Sequence, residues 1–154
     1  MKNVSSPYWV LVADSGCGRF FELRKTPAEF RELEKLVSES RHQTSREMMS
    51  DASGRVVNVP GGSSSHTMLP RSDPHELAEQ AFSRVLSDKL EQAASHNAFE
   101  LLVIMADPRT LGRLRQHMSK ALAARIAAEV NRDLVALPLD KLEERARAEL
   151  GWSD

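Results

Sequence analysis

Cysteine occurs once, at Cys17, so the chain cannot close a disulfide within itself and offers no cysteine-based zinc site. Aromatic residues make up only 5% of the chain, and no row of stacking platforms for nucleobases is evident. Neither sign of charge dominates. Twenty-one Lys and Arg stand against 22 Asp and Glu, a formal net charge of −1. That balance excludes the uniformly basic surface of an architectural nucleic-acid binder, so any nucleic-acid site has to be a local patch. Long hydrophobic runs are also missing. The apolar stretch at residues 9–13 is far shorter than the about 20 residues of a membrane span, and it lacks the pattern of a secretory leader. The expected location is the cytoplasm, with no membrane partner.

What is present suits one ordinary globular domain over residues 1–154. Hydrophobic residues make up 41% and charged residues 28%, and a chain of this length buries roughly 70% of its extended surface. "YWVLVADSGCGRFFELRK" holds two apolar runs around a Ser-Gly-Cys-Gly turn and predicts a hairpin with Cys17 exposed at its tip. In "TPAEFRELEKLVSES", Thr26, Pro27 and Glu29 are arranged like the start of a helix. Phe30, Leu33, Leu36 and Val37 follow at helical spacing. From residue 38 to 72 no periodicity survives, and "VPGGSSSHTMLPRS" predicts a long mobile loop. "DPHELAEQAFSRVLSDKLEQAA" then opens with Asp73 as N-cap, Pro74 and Glu76. Its apolar stripe comprises Leu77, Ala81, Phe82, Val85, Leu86 and Leu90. "ELLVIMAD" predicts a buried strand, Asp107-Pro108 caps a short helix, and Ser119 caps another turn. "RIAAEV" fits either a strand or a continuing helix, and "PLDKLEERARAEL" predicts a closing helix.

Several stretches, "WVLVADSGCGRFFEL", "SREMMSDASGRV", "HTMLPRSDPHELAEQAFSRVL" and "LGRLRQHMSKALAARIAAEVNRDL", together resemble the bacterial host-attachment protein family along nearly the whole chain. That family in turn is similar to the middle domain of archaeo-eukaryotic class I release factors and of Pelota. The resemblance implies a ribonuclease-H-like α/β fold: three antiparallel strands, a helix, then further strands, with helices on both faces. Residues 30–37 become the third strand under it, against the local helix signal. It also implies that the long loop corresponds to the release-factor loop carrying a Gly-Gly-Gln motif. Here that loop reads Gly61-Gly62-Ser63, without the glutamine that peptidyl-tRNA hydrolysis needs.

Three constellations carry candidate chemistry. The run "DPRTLGRLRQHMSKALAAR" (residues 107–125) holds five Lys or Arg against one carboxylate. Arg109, Arg113, Lys120 and Arg125 could line one phosphate-binding rim, with Arg71 contributing from the loop. The plain alternative is the solvated face of ordinary helices. The Gly61, Gly62, Ser63 and His66 loop is a second candidate contact, with His75 at its far end. Third, Asp14, Glu76 (or Glu79) and Asp107 stand where ribonuclease-H-like nucleases hold two magnesium ions, although each also has a turn or capping role available. Cys17 has no neighbouring base, and no hydrolase triad appears. The expectation is a non-enzymatic protein without cofactor or metal that docks on RNA, tRNA or the ribosome. The alternatives are a magnesium-dependent nuclease or peptidyl-tRNA hydrolase, and a protein-interaction module acting on attachment indirectly.

Overall fold

The computed structural model describes residues 5–39 and 73–152. The chain begins as a meander of three strands, β1 (Tyr8–Ala13), β2 (Cys17–Arg24) and β3 (Glu29–Val37). It continues through helix α1 (Pro74–Ser95), strand β4 (Leu101–Ala106), helices α2 (Pro108–Gln116) and α3 (Lys120–Ala123), strand β5 (Ile126–Val130) and helix α4 (Leu139–Glu149). The strands form one mixed sheet in the order β3-β2-β1-β4-β5. β2 runs antiparallel to both β1 and β3, whereas β1, β4 and β5 are mutually parallel. β1, β3, β4 and β5 therefore share a carboxyl edge and an amino edge.

The central strands are apolar throughout because both faces of the sheet are covered. On one face Leu11, Phe20, Leu102 and Ile104 pack with Phe82, Leu86 and Leu90 of α1, Leu111 and Leu114 of α2, and Leu122 of α3. On the other face Val10, Val12, Phe21, Val103 and Met105 meet Leu142 and Ala146 of α4. The architecture is α/β with helices on both faces, as the family resemblance implies. "RIAAEV" resolves as a strand, because Leu102 to Met105 of β4 take residues 126–130 as their parallel partner.

Residues 29–37 form a strand, as the family resemblance implies and the local helix signal does not. A β-bulge explains the misleading pattern. Phe21 faces Glu32 while Phe20 faces Glu34, so Leu33 is the extra residue. The bulge moves the apolar positions from one face to the other. Phe30 stacks on Phe21 with ring centroids 4.8 Å apart, whereas Leu33 and Leu36 pack on the α1 side. Apolar residues three apart here record a bulged strand.

Two expectations need correction. Cys17 is buried, with 3% exposure, because it is the first residue of β2 and pairs with Val37 of β3. Helix α1 starts at the expected N-cap, with Asp73 accepting the backbone N–H of His75 at 3.0 Å, but its buried stripe is rotated from the one read off the sequence. Phe82, Ser83, Leu86, Ser87 and Leu90 are buried, while Leu77, Ala81 and Val85 are exposed. The small serines allow α2 to approach closely, and the Ser87 hydroxyl donates to the Leu114 carbonyl at 3.2 Å. Leu86 lies directly over β2. A Cβ placed on Gly18 would meet Leu86 Cδ2 at 2.5 Å.

Candidate functional site

In open α/β sheets, ligand crevices form beyond the carboxyl ends of parallel strands. Here that edge collects Asp14 after β1, Asp107 after β4, and the first turns of α1. Asp14 and Asp107 follow Ala13 and Ala106, which are register partners. Each carboxylate is engaged locally. Asp14 Oδ1 accepts the N–H groups of Gly16 and Cys17 at 2.9 and 2.8 Å, closing the β1–β2 turn. Asp107 Oδ2 accepts the Thr110 N–H at 3.2 Å and caps α2. Asp107 Oδ1 and the Thr110 hydroxyl are buried without hydrogen-bond partners.

Glu79 faces α2 from the buried side of α1, one turn ahead of Phe82 and Ser83. Its Oε1 accepts from Arg113 Nη1 at 2.8 Å, and Glu76 Oε2 lies 3.9 Å from Arg113 Nη2. The Arg113 side chain is only 8% exposed, against 30% for Glu79 and 48% for Glu76. Among the described residues no group of three or more His, Cys, Asp or Glu is arranged to hold a metal ion.

The four cations of the 107–125 run do not line one rim. β4 ends at the carboxyl edge and β5 starts at the amino edge, so the intervening helices carry the chain across the sheet. Nine residues of α2 span about 13 Å at 1.5 Å per residue. Arg109 stands exposed in the first turn of α2 at the carboxyl edge. Arg113 is buried midway against Glu79. Lys120 and Arg125 lie at the amino edge, on and just after α3.

Arg125 is half-buried. Its Nη1 donates to the Phe99 carbonyl at 2.7 Å, and its guanidinium carbon sits 5.7 Å from the Phe99 ring centroid. Lys120 is exposed, and neither cation has a carboxylate partner within 4.0 Å among the described residues. The fifth cation of the run, Arg115, is bound to Glu129 of β5, an interaction that raises its pKa above the ordinary value. At the same edge the Tyr8 hydroxyl has a raised pKa, first from burial and then from the negative charge of Glu100. Gly61, Gly62, Ser63, His66 and Arg71 lie outside the described residues.

A family model described as a protein required for attachment to host cells matches residues 9–145. The chain belongs to this host-attachment family. The match takes in every strand and helix of the sheet domain except the first residue of β1 and the end of α4. No curated protein matches the chain. Among the described residues of this host-attachment protein, no helix is long and apolar enough to cross a membrane.

Reading the sequence alone misses the Glu79–Arg113 pair. The available signal was a glutamate on the buried face of α1, three and four positions before Phe82 and Ser83, where an apolar residue is expected. The buried charge of the pair is the Arg113 guanidinium, which needs a partner, and the half-buried Glu79 of α1 supplies it.

The capping role of Asp107 yields a direct test. Asp107→Ala is expected to lower stability by about 0.5–2 kcal/mol, the range for loss of a side-chain N-cap. Urea unfolding followed by circular dichroism measures it. A change below about 0.3 kcal/mol would show that the helix end is satisfied without Asp107.

Proposed function

We propose that this host-attachment-family protein is a binding module and not an enzyme. It docks on RNA, tRNA or the ribosome in the cytoplasm, and its effect on attachment to host cells is indirect. The observation that carries the reading is the placement of Lys120 and Arg125 at one edge of the sheet, without carboxylate partners among the described residues. The Phe99 carbonyl and ring hold the Arg125 guanidinium, leaving further N–H donors of the fork for a phosphate oxygen. The resemblance read from the sequence to the release-factor middle domain, which the family match does not itself extend to, is the reason for preferring a ribosomal partner among polyanions. Arg109 stands apart from this pair, at the opposite edge.

The engagement of the carboxylates supports binding over catalysis. Magnesium-assisted phosphodiester hydrolysis needs carboxylates available to the metal ions. In this protein Asp14 holds a turn, Asp107 caps α2 through Oδ2 while its Oδ1 is buried without a hydrogen-bond partner among the described residues, and Glu79 faces Arg113.

The test is binding of a fluorescent single-stranded RNA, measured by anisotropy over a range of salt. Lys120→Gln and the Lys120→Gln/Arg125→Gln pair are expected to weaken binding without base preference. The slope of log affinity against log salt should shrink by about 0.7 for every single-strand phosphate that the variant no longer neutralises. Unchanged affinity and slope in a folded double variant would remove the amino edge as the docking surface. Arg109→Gln provides the comparison from the carboxyl edge and is expected to leave the slope unaltered.

A further inference from the structure

We draw no further inference here: the strongest candidate, the exposed apolar stripe of α1 formed by Leu77, Ala81 and Val85, carries no proposal because nothing in the structure shows what covers it.

Discussion

Leu86→Ala is expected to lower the unfolding free energy by about 2–5 kcal/mol, the range for truncating a large buried aliphatic side chain. Leu86 is fully buried and belongs to the cluster joining α1 to the sheet. Its Cδ atoms lie over Gly18 of β2, where any Cβ would stand 2.5 Å from Cδ2 and 3.1 Å from Cδ1. Gly18→Ala alone should therefore also destabilise, by about 1–3 kcal/mol, because the leucine must leave its position in a close-packed layer. Together the two changes should cost less than the sum of their separate effects. The new methyl at residue 18 enters space vacated by the leucine, and touching residues show coupling of about 0.5–3 kcal/mol. Urea unfolding of the wild type, both single variants and the double variant measures this coupling. Simple additivity would mean that the strand and helix separate locally to accommodate the extra methyl.

The second large effect is expected at Arg113. Removing one partner of a buried ion pair costs about 3–5 kcal/mol, because the remaining charge is left desolvated and unpaired. Glu79 is 30% exposed, so water relieves part of that penalty, and Arg113→Met should cost about 1–3 kcal/mol. Adding Glu79→Gln removes the stranded charge and should restore part of the loss, while Arg109→Gln should stay within about 0.5 kcal/mol as an exposed surface change. Thermal and urea unfolding of these variants compare the two arginines directly. Equal effects of Arg113→Met and Arg109→Gln would contradict a structural role for the buried pair. The distinction also matters for RNA binding. A variant that removes Arg113 together with its exposed neighbours mixes loss of fold with loss of a docking charge.

Sequence patterns reveal the fold where periodicity and local chemistry agree. The apolar runs of β1 and β4, the N-caps Asp73, Asp107 and Ser119, and the closing helix are recognisable because hydrophobic pattern and backbone capping are local properties. The β3 pattern misleads locally because a bulge superimposes an extra residue on a period of two. The α1 stripe is displaced because two serines occupy buried positions, while Leu77 and Val85 lie outside the buried face. Ser87 is accommodated by a carbonyl from another helix, which no count along α1 can reveal.

The candidate site is less legible for a related reason. Clustering of Arg109, Arg113, Lys120 and Arg125 along the chain says little about clustering in space when the segment crosses the whole depth of the sheet. Arg113 differs from its neighbours through its burial beside Glu76 and Glu79, the latter 34 positions earlier in sequence. The residue types are visible in the sequence, but their pairing depends on how α1 lies beside α2.

The parallel seam between β1 and β4 bears on how quickly the chain can fold. The meander and the β4-to-β5 unit each close over short distances, but Tyr8 finds its β4 partner, Leu101, only about 90 positions later, and such non-local pairing slows folding through the entropy of bringing remote segments together. Lengthening the chain between these strands carries a modest equilibrium penalty, since doubling a flexible loop costs about 0.6 kcal/mol. Joining residue 152 to residue 5 by a linker and opening the chain between β3 and α1 would shorten this separation by about a third without making the seam local. The order of assembly would then change while the final sheet stayed the same.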